Sequence, residues 1–259
     1  MTSNTEKREK LIYFCQHLFS ESLLPTPSEL ITAYIHQGAP RVEKVRPLHS
    51  HSEIAKVWID LVSNSKKTFK IDHNELRSRA KFIQGHIRSI HQITKNSDSI
   101  ITLADKNTST EISLSHLIRA AEGVENIETM HPNKIKFYKI SMYFMLVFLC
   151  GEADIENQSI KDFWTKAGID STTERVHFAV KELHKLLHVG PFATMALMVI
   201  SQMTGKYPRG LWFDCMHSVY LPYVDYFFTT DMHFQTLQHA IHEPALSQKL
   251  VFLKKDMIT

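Results

Sequence analysis

The sequence predicts a mostly helical α/β protein with a small parallel sheet, and residues 211–234 are the main reason. Within that stretch, an amphipathic helix containing Asp214 is followed by a turn at Pro222. A short aromatic and β-branched run then ends at Asp231, as expected of a buried strand. Only 8 glycines and 9 prolines among 259 residues argue against an all-β fold and favour helix elsewhere.

Helix start signals and apolar spacing define the remaining elements. Ser3 and Glu6 fit a capping box, and Pro27 and Pro132 stand at first helical positions. Apolar residues then recur at helical spacing. The predicted helices cover residues 3–21, 27 onward, 53–62, 72–94, 113–124, 132–150, 159–167, 173–189, 191–202, 214–221 and 232–242, with strands at 23–24, 99–103, 226–230 and 249–253.

Composition narrows the class of protein. The net charge of +3 is too small to indicate a nucleic-acid partner by itself. Three widely spaced cysteines, at 15, 150 and 215, fit neither a disulfide framework nor a zinc knuckle. The polar N-terminus has no apolar signal core, and the longest apolar run is about half a membrane span. We therefore expect a soluble, cytoplasmic protein with no membrane partner.

Two carboxylates occupy positions typical of a metal site. Asp231 ends the predicted strand and Asp214 lies near the start of the preceding helix. Ligands of open α/β sheets bind beyond the carboxyl ends of strands, and carboxylate oxygens suit Mg²⁺ or Mn²⁺. The structural alternative is that Asp214 caps its helix and that Asp231 begins the next turn or helix.

Glu29 has two interpretations. With Thr26 as the N-cap and Pro27 at the first helical position, Glu29 is the glutamate of a capping box. Alternatively, Glu29 faces the same cleft as Asp214 and Asp231.

The predicted helix at 72–94 is rich in basic residues. Arg77, Arg79 and Arg88 are the cations that we expect to contact phosphates, although a solvated charged face is the simpler explanation.

Two other motifs in the sequence could carry catalysis or bind a metal. Arg46 and His51 have the Arg-x4-His spacing of HEPN ribonucleases, which cleave RNA without metal, but a proline interrupts the motif. His184 and His188 stand four apart on a predicted helix, a geometry that binds metal or marks a surface or interface pair.

Residues 208–231, PRGLWFDCMHSVYLPYVDYFFTTD, resemble the closing segment of PIN-like domains. These are metal-dependent ribonucleases common among bacterial toxins, and the LPYxD version belongs to a longer, helix-rich subgroup. Residues 24–30, LPTPSEL, resemble the helix-borne glutamate segment of the same family. The resemblance implies a PIN-like core at 1–40 and 190–259, and a helical elaboration at 41–189.

Carried over by position, Glu29, Asp214 and Asp231 match the catalytic and metal-binding acids of the family. Thr229 and Thr230 match hydroxyl positions that help hold water or phosphate. The implied function is an endoribonuclease that hydrolyses RNA phosphodiesters with a metal-activated water, with Mg²⁺ or Mn²⁺ as cofactor. The sequence does not decide whether the protein forms a homo-oligomer or binds an inhibitory protein partner.

The chain departs from the family at its beginning. PIN-like domains open with an aspartate-bearing strand, and we find no such strand before the first predicted helix. The alternative prediction is therefore a catalytically degenerate PIN-like scaffold that binds RNA or protein.

Overall fold

Apolar helices form the buried core of the residues that the structure describes. The computed structural model describes residues 10, 27–36, 73–95, 100–104, 109–123, 129–151, 158–188, 190–202, 210–241 and 244–253. The chain divides into two units, Met1–Thr26 with Arg46–Ala80, and Pro27–Val45 with Lys81–Thr259. In the first unit, the described residues are Lys10 and 73–80. All other described residues belong to the second unit.

The described elements follow one another as helices with two pairs of strands. They are α1 Pro27–His36, α2 His73–Lys95, β1 Ile100–Ala104, β2 Ser109–Ser113, α3 Leu114–Glu122, α4 Pro132–Leu146, α5 Gln158–Ala167, α6 Thr172–Leu183, α7 Pro191–Ser201, α8 Leu211–Ser218, β3 Phe227–Thr229, α9 Met232–Ala240, α10 Pro244–Ser247 and β4 Leu250–Phe252.

The second half of helix α4 is buried on every side. Residues 138–146 are all buried, and Met142 and Phe144 are fully inaccessible to solvent. Such a helix is stable only inside a core. Helix α7, which contains no charged residue, packs along it.

The predicted helix at 132–150 changes form near its end. Residues Val147–Gly151 make a π-turn, and the Trp164 indole donates a 2.7 Å hydrogen bond to the Leu149 carbonyl within it. The indole thus gives a buried carbonyl in this wider turn a hydrogen-bond partner.

The predicted helix at 173–189 is also shorter than expected. Helix α6 starts with a capping box between Ser171 and Glu174 and ends at Leu183. A 3₁₀ turn, His184–Leu187, then leads to Gly190, which has a φ of 75°. Because Pro191 begins α7, the chain must turn sharply before it.

The strands form two small sheets within the described residues. β1 and β2 pair as an antiparallel hairpin, in which Ile100 lies opposite Ser113. β3 and β4 pair in parallel, with Phe227 opposite Leu250, and α9 and α10 lie between them in sequence. The fold is therefore helix-rich mixed α/β, as predicted. The second hairpin strand was not predicted, because the helix prediction began at Ser113, which is the N-cap of α3.

Some predictions concern residues outside the described part of the chain. These are the helices at 3–21 and 53–62, the strand at 23–24, and the motif formed by Arg46 and His51.

In the described ranges, no helix alone has both the length and the apolarity to cross a bilayer. Thr172–Leu187 and Pro191–Ser201 meet that test only as a pair, bent by 73°.

Gly190 provides a test of this packing. A Cβ added there would lie 2.5 Å from Cζ of the buried Tyr34 ring, and the backbone φ is positive. We expect Gly190→Ala to lower the free energy of unfolding by about 2–5 kcal/mol. The backbone strain of alanine at a positive φ and the clash of its Cβ with the Tyr34 ring both contribute.

Gly85→Ala is the matched control for that variant. Gly85 lies in α2 with nothing within 4 Å of an added Cβ, so alanine should stabilise by up to about 1 kcal/mol. Urea unfolding measures both variants. Equal stability of Gly190→Ala and the parent would contradict the packing of α1 against the start of α7.

Candidate metal centre

Helix α8 holds Asp214 in its first turn, at the edge of the core. Leu211, Cys215 and Ser218 are fully buried, and the Cys215 thiol donates to the Met195 carbonyl of α7 at 3.8 Å. Asp214 lies beside this buried face, so only 11% of its side chain is exposed. The N-cap of α8 is Gly210, so Asp214 is not the cap of its helix.

The end of β3 fixes the second carboxylate. Phe227 stacks on Phe234 of α9, with ring centroids 4.7 Å apart, which ties the strand to the following helix. Asp231 is the N-cap of α9, and its Oδ1 accepts a 2.8 Å hydrogen bond from the His233 backbone N–H. The Asp231 N–H donates to Oγ1 of Thr229 at 3.0 Å. These bonds set the direction of the Asp231 carboxylate.

His233 joins the two carboxylates. Its Nδ1 lies 2.8 Å from Asp214 Oδ2 and 3.6 Å from Asp231 Oδ1. Because a carboxylate only accepts hydrogen bonds, Nδ1 donates to Asp214. One ligand atom from each of the three side chains lies within 4.8 Å of the other two. The three atoms are therefore close enough to bind one metal ion together.

The three donor groups fit a divalent cation. A six-coordinate ion with ligands at about 2.1 Å requires donor atoms about 3–4 Å apart. The two distances from Nδ1, 2.8 and 3.6 Å, are close to that spacing. Two oxygens and one imidazole nitrogen suit Mn²⁺ better than Mg²⁺, which strongly prefers oxygen. Cation binding through Nδ1 would release its proton.

The neighbouring thiol takes no part in this chemistry. Burial, with the charge of Asp214 as a second cause, raises the pKa of Cys215 well above its usual range. A thiol that stays protonated is neither a metal ligand nor a nucleophile.

The structure brings together only some of the predicted site residues. Asp214 and Asp231 meet through His233, and Thr229 positions Asp231 through its hydroxyl. Thr230 is exposed next to them. Asp231 also fulfils its structural alternative, because it caps α9. The metal-binding and catalytic roles themselves stay predictions.

Three predicted residues have side chains outside the described part of the structure. Glu29 lies in α1, and Arg77 and Arg79 lie in α2, but only their backbone positions are described. The meeting of Glu29 with the two aspartates therefore stays a prediction. Arg88 is described, and it is exposed on α2.

His184 and His188 have separate partners. Nδ1 of His184 lies 3.1 Å from the Lys181 carbonyl. His188 lies 3.1 Å from the Tyr138 hydroxyl and 3.4 Å from a Glu122 oxygen. Burial, followed by the charge of Glu122, raises the pKa of Tyr138 to about 12. The two histidines thus contact different groups.

His233 is the site residue that sequence reasoning missed. Its one signal is the Asp-x-His spacing, which places a histidine in the first turn of the helix that Asp231 caps. With 16 histidines in the chain, that spacing alone does not single out one of them.

Metal binding should stabilise the protein measurably. A cation at 100 times its Kd adds about 2.7 kcal/mol to the free energy of unfolding if it binds only the folded state. We expect Mn²⁺ to raise the Tm of the parent protein, and to have little effect on Asp214→Asn or His233→Ala. Differential scanning fluorimetry measures the shift. The exposed Asp170 supplies the control Asp170→Asn, and an equal shift in all four proteins would place the cation elsewhere.

Comparison of the chain with family models, with curated proteins and with solved structures found no match. The PIN-like resemblance therefore stays a prediction from the sequence motifs. What the structure adds is the meeting of Asp214, Asp231 and His233 at the end of a parallel strand.

Proposed function

We propose that this chain is a divalent-cation-dependent endoribonuclease of the PIN-like type that its sequence resembles. The observation that carries the proposal is the convergence of Asp214, Asp231 and His233 within 4.8 Å, where β3 ends. Asp214 and Asp231 come from the sequence motif, whereas His233 is an independent finding of the structure.

The site has a buried wall and an open side. The Asp214 side chain is 11% exposed, whereas Asp231 and His233 are 46% and 39% exposed. Asp214 would therefore bind the cation on the buried side of the site. Asp231 and His233 would hold it where a phosphodiester can approach from solvent.

Two helix N-termini support anionic chemistry at this position. Asp214 lies in the first turn of α8, and Asp231 caps α9. The positive end of a helix dipole attracts negatively charged groups. The same backbone dipoles would attract a phosphate.

Each group then has a defined role in hydrolysis. Asp214, Asp231 and His233 would hold Mn²⁺ or Mg²⁺, with Glu29 as a further carboxylate. The cation would supply a lowered pKa for water and charge neutralisation on the phosphate. Thr229 keeps Asp231 in place through its hydroxyl, and Thr230 is available to the phosphate.

A non-catalytic PIN-like scaffold is the second candidate, and one observation favours it. Asp231 already caps α9, and His233 already donates to Asp214. These contacts tie α8 to the end of β3 without any cation, so the three residues have a sufficient structural role.

RNA cleavage distinguishes the two functions. We expect Mn²⁺-dependent cleavage of a labelled RNA, lost on addition of EDTA. Asp214→Asn and Asp231→Asn should each reduce the rate by more than about 100-fold, because loss of a ligand exceeds the effect of an outer-shell change.

Asp170→Asn is again the control and should cleave normally. Cleavage unchanged in both site variants would eliminate the proposed centre, and absence of cleavage in the parent would favour the scaffold. Activity that survives EDTA would instead point to Arg46 and His51.

A further inference from the structure

The C-terminal part of helix α2 presents a basic stripe to solvent. Residues 81–95 contain no acidic side chain. Lys81, Arg88 and Lys95 are exposed, and spacings of seven put them on one face of the helix. Ile83 and Ile90 lie on the opposite face, and Ile90 is fully buried. The stripe extends over about 21 Å of helix.

Aromatic packing joins α2 to the helix that carries Asp214. The His86 ring stacks on Trp212 of α8, with centroids 4.3 Å apart and planes 19° apart. Phe82 meets the same indole edge-on at 6.0 Å. His86 Nδ1 lies 2.7 Å from the Tyr143 hydroxyl of α4. The basic helix and α8 thus share one anchoring residue, Trp212.

The exposed side of α8 lies between the flank that contacts α2 and the flank that carries Asp214. Phe213 and His217, four residues apart, are exposed, whereas Trp212 and Asp214 are buried on opposite flanks of α8. α2 packs at the Trp212 flank, and His233 contacts the Asp214 flank. A chain that runs over α8 from α2 to the centre would therefore pass the exposed Phe213 ring.

We infer that Lys81, Arg88, Lys95 and Phe213 form a track for single-stranded RNA that leads to the Asp214 centre. The cations contact the phosphates, and the Phe213 ring stacks on an unpaired base. What happens to the RNA at the end of the track rests on the proposed function, whereas the track itself does not.

Charge and shape together favour this occupant. Lysine and arginine side chains on a helical segment that itself contains no acidic residue attract a polyanion. The 54% exposed Phe213 ring offers a stacking surface that any base can use. A duplex keeps its base faces stacked inside and cannot use that ring, and an acidic protein would use only the stripe.

Fluorescence anisotropy in EDTA tests the track separately from the metal centre. The probes are a labelled 12-nucleotide oligo(U) and a labelled 12-base-pair RNA duplex, each titrated over a range of salt concentrations. The parent should bind oligo(U) more tightly than the duplex. The triple variant K81Q/R88Q/K95Q should lower the salt slope by about 2, since each contact to a single strand contributes about 0.7.

The control for the triple variant removes three exposed lysines from other elements, as K166Q/K181Q/K185Q. Its slope should stay near that of the parent. An equal reduction in both triple variants would mean non-specific attraction and would overturn the track.

Phe213 is tested in the same assay. Phe213→Ala should weaken oligo(U) binding by about 10-fold, and Phe213→Tyr should restore it, because base stacking survives. Phe228, which is 61% exposed on β3, supplies the control Phe228→Ala. No effect of Phe213→Ala, or duplex binding as tight as that of oligo(U), would overturn the proposal.

The two assays distinguish failure of the RNA track from failure of the proposed nuclease function. Normal binding in EDTA with no cleavage in Mn²⁺ would retain the track and remove the nuclease. Cleavage that depends on Asp214 with no effect of the track variants would do the reverse.

Discussion

The 2.8 Å contact between His233 Nδ1 and Asp214 Oδ2 is the constraint on which the candidate site depends. It joins α8 to α9 across 19 residues of sequence, at the point where the parallel strand β3 ends. Without it, the Asp214 carboxylate, whose side chain is only 11% exposed, would lose a hydrogen-bond donor at a largely buried position. The Nδ1–H of His233 supplies that donor, and a divalent cation would take its place. The same contact therefore serves either a metal-free fold or a metal centre.

The rest of the structure holds that contact rigid. Helix α8 is buried against α7 through Leu211 and Cys215, and Trp212 is enclosed by aromatic rings from α2, α4 and the π-turn. On the other side, the stacking of Phe227 on Phe234 fixes α9 against β3. A packed core resists small displacements, so this packing limits the movement of the elements that carry the three side chains. Catalytic geometry requires this kind of support.

Periodicity and turn signals predicted the elements around the site, but α8 begins at Leu211 rather than at 214, and β3 is not a buried strand, because Phe228 is 61% exposed. The apolar spacing of α8 and the aromatic run of β3 placed Asp214 and Asp231 at positions that the fold brings together. Sequence could not reveal His233, because its role depends on how α9 packs against α8. Local patterns also missed β2, whose Ser109–Ser113 segment has little alternation and pairs only through the hairpin. The π-turn at Val147–Gly151 depends on Trp164, a partner 15 residues away.

The most direct measurement of the central claim is the position of Mn²⁺ in crystals of the protein, from its anomalous scattering. The account predicts a peak about 2.0–2.3 Å from one oxygen of Asp214, one oxygen of Asp231 and Nδ1 of His233. The peak should disappear in crystals of Asp214→Asn. Ordered Mn²⁺ elsewhere, with His233 still bonded to Asp214 at saturating metal, would contradict the account. It would leave the three side chains as a structural link between two helices and a strand.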